Sequence, residues 1–268
     1  MAVIGVDLGG TKLAAALFTR DGKMVNKVNR LLDGRRGSEV GALIVATIKE
    51  VLNSSGLKAE PIGGVGVCVP GISHARTGRV WAPNIPGWED YPLFAEITDA
   101  LNNKSIFITI DSDRACSILG EAWCGAATGC RDAIFLAVGT GIGAGIMVDG
   151  KVLRGTHDIG GAIGWMALDR PFRGEYVSCG CFEYHASGEG IAKVARDYLL
   201  TERSYAGMLR SKDPRDVSAR DVFDAEAAGD PLRFAEGGTV TAGTIRVRID
   251  EQVGTITALA TAAGVARG

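Results

Sequence analysis

Two glycine-rich turns, each set between two apolar runs, constrain the fold of this chain more than any other feature. The first lies within IGVDLGGTKLAAALFTRDGK, residues 4–23, and the second within AVGTGIGAGIMVDGKV, residues 137–152. In each, an apolar strand leads into a turn of Gly and Thr, a second apolar strand leaves it, and an Asp-Gly turn follows. The repeated design predicts two related half-domains, each offering one turn to a central cleft.

Both turns have the composition of a phosphate-binding site. Glycine has no side chain, so phosphate oxygens can approach its backbone N–H group, and a threonine hydroxyl adds a further donor. Asp7, at the end of the first strand, is the candidate Mg²⁺ ligand, either directly or through water or phosphate. Taken alone, the first turn is equally typical of an ordinary hairpin with a capping aspartate. The chain lacks the G-x-x-x-x-G-K-[ST] motif of P-loop proteins. The candidate phosphate-binding residues are Gly9, Gly10, Thr11, Lys12, Gly139, Thr140 and Gly141.

The composition excludes some classes of partner. The 268 residues carry a formal net charge of −2, which argues against nucleic acid or a membrane surface as a partner. Hydrophobic residues make up 46% of the chain, enough for the core of one large domain or two smaller ones. We find no signal-peptide pattern and no apolar run of the ~20 residues that cross a bilayer, so we expect a cytoplasmic protein. Its six cysteines are then expected to be reduced thiols.

Predicted strands and helices alternate along the chain, which indicates an α/β fold. Apolar runs predict strands at residues 2–7, 12–19, 62–69, 105–111 and 133–150. Helical periodicity predicts helices at residues 38–52, 94–103, 114–127 and 187–200. The tail from residue 238 has weak strand alternation followed by an Ala/Thr/Gly run, and no element is predicted there.

Six segments occur in an order typical of one family: VDLGGTKLAAALF, GVGVCVPG, APNIPGW, SDRACSILGEAWCGAA, LAVGTGIGAGIMVDGKVLRG and GCFEYHASG. By these motifs the chain resembles the ROK family of sugar kinases and repressors over residues 3–200. The resemblance implies an actin-like ATPase (ribonuclease H-like) fold, with two α/β domains around a central cleft. It implies an N-terminal α/β domain at residues 1–112 and a C-terminal α/β domain at residues 113–268. It further implies ATP and Mg²⁺ as cofactors, a small-molecule sugar as substrate, and a homodimer.

The resemblance also implies a catalytic base. Asp113, in DSDRACSILGE, aligns with the aspartate that deprotonates the sugar hydroxyl in this family. Phosphoryl transfer needs such a base within hydrogen-bond reach of the attacking hydroxyl, together with positioning and charge neutralisation. The alternative role of Asp113 is the N-cap of the helix predicted at 114–127, and both roles can coexist. Asp111 competes for the role of base, while Ser112 occupies the position where the family usually has asparagine and is a candidate sugar contact.

Three further residues match positions that line the sugar site of the family: Gly71 at the Pro-Gly turn, Asn84 in PNIPGW, and Glu183 in GCFE. A carboxylate can accept hydrogen bonds from two sugar hydroxyls, which suits Glu183 to orienting the substrate. The alternative for Glu183 is a solvated acid at the start of a helix.

The chain departs from the family pattern next to this site. Typical members carry Gly-Glu-Ile-Gly-His, whose Glu and His contact the sugar and whose His also binds zinc. Here the segment is GAIGW, in which Ala162 replaces the Glu and Trp165 replaces the His. The family motif C-x-C-G-x-x-G-C is reduced to Cys181, so we predict no zinc site. Trp165 would line the sugar site with an apolar face, and the residues that could supply replacement contacts are His157, Asp158 and His185.

These features predict an ATP-dependent kinase for a hydroxyl on a sugar or modified sugar, comparable to glucokinases and N-acetylhexosamine kinases. Two alternatives stay open: a non-catalytic regulator that binds sugar or nucleotide, and an inactive remnant of a kinase. The tail lacks the long helix and the adenosine-side glycine motif of the family. We therefore expect the segment beyond residue 230 to contribute little to the core and the nucleotide affinity to be weak.

Overall fold

The computed structural model describes residues 1–53, 61–230, 245–250 and 255–260. By its packing, the chain divides into two compact units. The first unit contains residues 1–133 and 146–160, and the second contains residues 134–145 and the chain from residue 161 onward. The predicted division into functional domains at residues 112 and 113 stays a prediction. Within the described ranges, no helix is long and apolar enough to cross a membrane.

The strands of the described residues form four sheets. They are Ala2–Leu8 (β1), Lys12–Phe18 (β2), Met24–Leu31 (β3), Ile62–Val69 (β4), Ile72–His74 (β5), Arg79–Trp81 (β6), Phe107–Ser112 (β7), Ala133–Val138 (β8), Ile142–Val148 (β9), Lys151–Val152 (β10), Ile245–Asp250 (β11) and Thr255–Ala260 (β12). The largest sheet has the order β3-β2-β1-β4-β7. The smaller sheets are β10-β9-β8, β5-β6 and β11-β12.

Six α-helices complete the described secondary structure, apart from short 3₁₀ turns. They are Ser38–Asn53 (α1), Leu93–Leu101 (α2), Asp113–Cys124 (α3), Cys181–Ala186 (α4), Gly188–Thr201 (α5) and Ala219–Ala227 (α6). The strands and helices predicted from periodicity are confirmed to within a few residues at their ends. In the tail, β11 and β12 form an antiparallel pair. The other tail positions, including the Gly237-Gly238 pair, lie outside the described residues. The expectations that the tail adds little to the core and that nucleotide binds weakly therefore stay predictions.

The central sheet of the first unit is half antiparallel and half parallel. β2 pairs with β1 and β3 in antiparallel orientation, whereas β1, β4 and β7 are parallel to one another. Parallel neighbours end at the same edge of a sheet, so the turns that follow β1, β4 and β7 are brought together. This edge is the one at which the sequence places Asp7, Gly71 and Asp113.

The core of the first unit lies between this sheet and two helices. Side chains alternate along β1, with Ile4, Val6 and Leu8 buried and Asp7 exposed, as the period of two in a strand requires. Helix α1 buries the face that carries Ile44 and Ile48 against the same side of the sheet. Burial of a side chain of this size stabilises the fold by ~1.5–3 kcal/mol. The buried stripe therefore fixes the face of β1 from which the Asp7 carboxylate points to solvent.

The second unit has a smaller core around helices α5 and α6. Ser187 caps α5 by accepting a hydrogen bond from the Gly190 N–H group, and Ser218 forms a capping box with Asp221 at the start of α6. Buried residues of both helices and of the connecting segment pack together: Ala195, Leu199, Tyr205, Leu209, Val217, Val222 and Ala225. The other end of α5 lies beside the second glycine turn, because the Gly188 N–H group donates to the Gly139 carbonyl.

Candidate functional site

The carboxyl ends of β1, β4 and β7 bring together the predicted base and the predicted metal ligand. Asp7 pairs in register with Cys68, and Cys68 with Asp111, so Asp113 begins α3 just beyond the same edge. Both Asp7 and Asp113 are exposed, and the side chain of Asp7 forms no ion pair or hydrogen bond with the described residues. Two solvent-facing carboxylates thus converge where ligands usually bind in parallel α/β sheets.

The first glycine turn is short and firmly closed. The Gly9 N–H group donates to the Lys12 carbonyl over 2.8 Å, and the Leu32 N–H group donates to the Thr11 carbonyl over 2.9 Å. A methyl group on Gly10 would lie 3.6 Å from the Cβ atom of Asn84. The turn therefore reaches the same edge as Asp7 and has Asn84, a predicted sugar contact, beside it.

Asn84 is held at this edge by its buried neighbours. In the loop that carries it, Ile85 and Trp88 are buried while Asn84 is exposed. The indole N–H group of Trp88 donates to the Gly37 carbonyl over 2.9 Å, and its ring stacks on Tyr91 at a centroid distance of 4.4 Å. These anchors fix the loop and leave the Asn84 amide turned toward solvent.

Gly71 is required by its backbone conformation. Its φ angle is +140°, and a Cβ atom at this position would lie only 2.2 Å from the Trp81 carbonyl oxygen. The Gly71 carbonyl in turn accepts a hydrogen bond of 3.3 Å from the Arg114 guanidinium on α3. The turn after β4 is therefore tied to the helix that begins with the predicted base.

Ser112, and not Asp113, caps helix α3. The Ser112 hydroxyl accepts a hydrogen bond of 3.3 Å from the Ala115 N–H group, and the serine is only 8% exposed. The alternative role of Asp113 as the N-cap is therefore wrong, and its carboxylate is free to face solvent. Asp113 retains one local bond, from the Arg114 N–H group over 2.8 Å. The hydroxyl of Ser112 is engaged by the cap, and its predicted contact with sugar stays a prediction.

The surroundings of Asp113 favour its protonated form. Burial raises the pKa of the Asp113 carboxyl above its ordinary value, although the group remains accessible to solvent. The N–H group and guanidinium of Arg114 oppose this rise in pKa, and the nearby Asp7 carboxylate adds to it. A carboxylate with a raised pKa is a stronger proton acceptor, which suits a general base.

Replacement of Ser112 by alanine is expected to destabilise the protein by about 1 kcal/mol, because the first turn of α3 loses its cap. The effect is measured as a shift of the urea midpoint at constant slope. Ser105→Ala, at an exposed serine that precedes β7, serves as the matched control and should leave the midpoint unchanged. Equal midpoints for both variants would show that the cap does not contribute.

The carboxylate of Asp111, the competing candidate base, already has two partners. Its carboxylate forms an ion pair with Arg154 and also accepts a hydrogen bond of 2.9 Å from the Ser112 N–H group. Sequence reasoning missed Arg154, because nothing in the pattern around it indicates a partner far back in the chain. The pair fixes the backbone just before Asp113, so Arg154 acts as a positioning residue for the candidate base.

Cys68 contributes a neutral group to the same edge. A hydrogen bond with the Cys116 sulfur and burial raise the pKa of the Cys68 thiol well above its ordinary value, and the nearby carboxylates of Asp7 and Asp113 add to the increase. The Cys68 thiol is thus expected to stay protonated, so it adds no negative charge beside the two aspartates.

In the second unit, Glu183 is bound to the second glycine turn. One carboxylate oxygen of Glu183, in the first turn of α4, accepts a hydrogen bond of 2.7 Å from the Ile142 N–H group. The turn itself is closed by the Gly139 N–H group, which donates to the Gly141 carbonyl over 2.9 Å. Gly188, the first residue of α5, donates to the Gly139 carbonyl over 2.8 Å. Glu183 is therefore half-buried and ordered, unlike the solvated acid of the alternative reading.

The segment that departs from the family pattern lies in the same unit. Trp165, at the end of a 3₁₀ turn, is 55% exposed. Tyr176 is only 2% exposed, and its hydroxyl lies 2.8 Å from Nε2 of His185. Burial lowers the pKa of His185, so the imidazole is expected to be neutral. An aromatic cluster of Tyr176, Tyr184 and His185 thus occupies the region next to Cys181.

We predict that the purified protein contains no stoichiometric zinc. The family motif implies His, Cys and Cys as zinc ligands at the positions of Trp165, Gly174 and Tyr176, and none of these three residues is a usual zinc ligand, whereas a structural zinc site needs four ligands. Among the described residues, no group of three or more His, Cys, Asp or Glu side chains is arranged to hold a metal ion. Elemental analysis tests this prediction, and one zinc per chain whose removal unfolds the protein would contradict it.

Two of the proposed replacement contacts lie in the first unit. Asp158 accepts a hydrogen bond of 3.3 Å from the Ala75 N–H group and lies 3.8 Å from Nδ1 of His74. Its neighbour His157 is exposed. Asp158 therefore contacts the β5–β6 hairpin. The sugar contacts suggested for His157, Asp158 and His185 stay predictions.

Comparison with known proteins identifies the family. The sequence profile of the ROK family matches residues 3–236. The chain belongs to the ROK family. Within it, a glucokinase of Halalkalibacterium halodurans is 34% identical over 242 residues, which cover 87% of this chain and 70% of that protein. An N-acetyl-D-glucosamine kinase of Citrobacter koseri is 28% identical over 207 residues, 72% of this chain and 65% of that protein.

A solved ROK structure confirms the predicted fold. The ROK hexokinase of Thermus thermophilus superimposes with a TM-score of 0.66 at 31% identity, covering 86% of this chain and 70% of that one. This ROK chain therefore has the actin-like ATPase fold that its motifs imply. The family profile covers both glycine turns and the segment that carries Asp113, because all of them lie inside residues 3–236.

Proposed function

We propose that this ROK protein is an ATP-dependent sugar kinase with Asp113 as its general base. The observation that carries the proposal is the position of Asp113 at the carboxyl edge of the parallel strands, free of the capping role that Ser112 fills. The relatives named glucokinase and N-acetyl-D-glucosamine kinase support the same reaction class. The regulator and remnant alternatives are not favoured, because they give the Asp7 and Asp113 carboxylates no role.

In the proposed reaction, Asp113 accepts the proton of a sugar hydroxyl as its oxygen attacks the γ-phosphorus of ATP. The bond between that phosphorus and the β–γ bridging oxygen breaks, and ADP leaves. Backbone N–H groups of the glycine turns, other than those of Gly9 and Gly139 that close the turns, would hold phosphate oxygens. The Arg154–Asp111 pair would keep the base in position. Asn84, Gly71 and Glu183 are the proposed sugar contacts.

The residues at this edge fit a magnesium ion. Asp7 is exposed and, in the described part of the chain, unpaired, and a carboxylate oxygen is the kind of ligand that Mg²⁺ prefers. Magnesium would be held by Asp7, directly or through water or phosphate. When bound, it would neutralise charge on the phosphates of ATP.

The altered segment supports a modified sugar as substrate. An exposed indole at Trp165 can stack on the C–H face of a sugar ring and donate one hydrogen bond, but it cannot accept one. A site that forms no hydrogen bond to a given hydroxyl distinguishes only weakly between sugars that carry this hydroxyl and sugars that lack it. We therefore propose an amino, deoxy or acylated sugar over plain glucose. A homodimer and a cytoplasmic location stay predictions.

The pH dependence of kcat/KM follows from the environment of Asp113. Protonation removes the base, so kcat/KM is expected to fall as the pH drops through the pKa of Asp113. Because burial raises this pKa, the acid limb should have a midpoint above the ordinary aspartate value of about 4. A pH–rate profile measures it, and a midpoint at or below the ordinary value would contradict the assignment.

The proposed reaction is tested by mass spectrometry of the sugar after incubation with ATP, Mg²⁺ and a panel of hexoses and amino sugars. We expect one sugar to gain a single phosphoryl group. If ATP is hydrolysed with no sugar modified, or if neither changes across the panel, the sugar-kinase proposal is wrong.

A further inference from the structure

The first unit contains a cavity whose lining includes neither the candidate base nor the candidate metal ligand. It has a volume of about 410 Å³ and lies between the β5–β6 hairpin and the loop of residues 156–158. This volume is within the range of small-molecule sites in proteins. Every residue that lines it carries a polar group: two arginines, two histidines, two threonines and two aspartates. A concave surface with so many hydrogen-bonding groups suits a polar ligand and not an apolar one.

The two carboxylates of this cavity already have polar neighbours. Asp158 lies 3.8 Å from Nδ1 of His74 and accepts a bond from the Ala75 N–H group. Asp90 lies 2.7 Å from Nε of Arg79, off the direction of that N–H bond, so the contact is an ion pair and not a hydrogen bond. The contacts of Asp158 also join the hairpin to the loop of residues 156–158.

Two basic side chains of the cavity remain free. Among the residues that the structure describes, neither Arg76 nor His157 forms an ion pair or a hydrogen bond, and both are exposed. Two hydroxyl groups accompany them: Thr156 has no bonded partner in the same part of the chain, and Thr77 accepts a bond of 3.3 Å from the Arg79 N–H group, which leaves its O–H free to donate. The donors left over are thus a guanidinium, an imidazole and two hydroxyls.

This set of donors matches a phosphate monoester. Arginine binds phosphate through two parallel N–H bonds, and charge-assisted bonds of this kind are the strong ones. The two arginines of the lining balance the charge of its two aspartates, so the cavity carries no large excess of positive charge that would attract polyanions in general. The paired carboxylates keep oxygen lone pairs that can accept hydroxyl groups, and the cavity is larger than a phosphate ion alone requires.

We propose that this cavity binds a phosphorylated polyhydroxy compound, such as a sugar phosphate, with its phosphate group on Arg76 and His157. The lining of the cavity includes neither Asp7 nor Asp113 and shares no residue with the first glycine turn. The proposal does not require the protein to be a kinase, because binding is measured without ATP and without turnover.

Titration calorimetry with glucose 6-phosphate, inorganic phosphate and glucose tests the site. We expect glucose 6-phosphate to bind more tightly than either of the other two. Arg76→Gln and His157→Gln should each weaken its binding by about tenfold, the loss expected for one charge-assisted hydrogen bond. Arg20→Gln, at an exposed arginine in the β2–β3 turn, is the matched control and should bind as the wild type does.

A sugar phosphate could also bind at the carboxyl edge as a product of the proposed reaction, and Arg76→Gln separates the two sites. In this variant the calorimetric binding should weaken while kcat at saturating substrate stays within twofold of the wild type. The proposal is wrong if glucose 6-phosphate does not bind, if the two variants bind it as tightly as Arg20→Gln does, or if glucose or inorganic phosphate binds equally well.

Discussion

Asp113→Asn is expected to lower kcat by at least about a hundredfold, while the melting temperature and the affinity for nucleotide stay close to those of the wild type. A general base contributes a factor of ~10²–10⁴, and an amide cannot accept the proton. The fold should tolerate the change, because Ser112 and not Asp113 caps α3. The raised pKa means that the charged carboxylate is disfavoured in the folded state, so at neutral pH a neutral amide should cost no stability.

Asp99→Asn is the matched control for this variant. Asp99 is an exposed aspartate on α2 with no ion pair or hydrogen bond from its side chain among the described residues, and its replacement should leave kcat unchanged. If Asp113→Asn keeps a turnover within tenfold of the wild type, the lost transition-state stabilisation is only ~1.4 kcal/mol. That is too little for an essential base, and Asp113 would lose the role.

The double change Ala162→Glu with Trp165→His should shift the ratio of kcat/KM values toward unmodified hexoses by about tenfold or more. It restores a carboxylate that accepts hydroxyl hydrogen bonds and an imidazole that can both donate and accept. A site built to bond a particular hydroxyl discriminates strongly in favour of substrates that carry it. The comparison is glucose against N-acetylglucosamine, with each variant measured on both sugars.

Trp123→His is the control for loss of an exposed indole. Trp123 is 65% exposed on α3, in the first unit, and its replacement should not alter the ratio between the two sugars. The prediction is contradicted if the wild type already prefers glucose and the double variant only has a lower kcat/KM for it. Trp165 would then not determine substrate choice.

The elements of the site could be predicted from sequence because local patterns determine them. Each glycine turn follows an apolar strand, and the alternation along β1 fixes that Asp7 points away from the core. Gly71 could be singled out because the Pro-Gly pair indicates a turn, and its φ of +140° shows why glycine is needed there.

The contacts made over long sequence separations could not be predicted. The choice of Ser112 over Asp113 as the cap depends on where β7 ends, and element boundaries are the least certain part of a periodicity argument. The Arg154–Asp111 ion pair and the Glu183–Ile142 hydrogen bond join residues about 40 positions apart, and no spacing rule for strands or helices links such positions. Tertiary packing decides these contacts.

The most direct test of the central claim is an ADP-release assay, coupled to NADH oxidation, across a panel of hexoses, deoxy sugars and amino sugars. The wild type is predicted to release ADP at a rate that rises and saturates with at least one sugar, and Asp113→Asn is predicted to abolish that sugar-dependent rate while Asp99→Asn preserves it. A rate independent of every sugar, or one that Asp113→Asn leaves intact, would contradict the account.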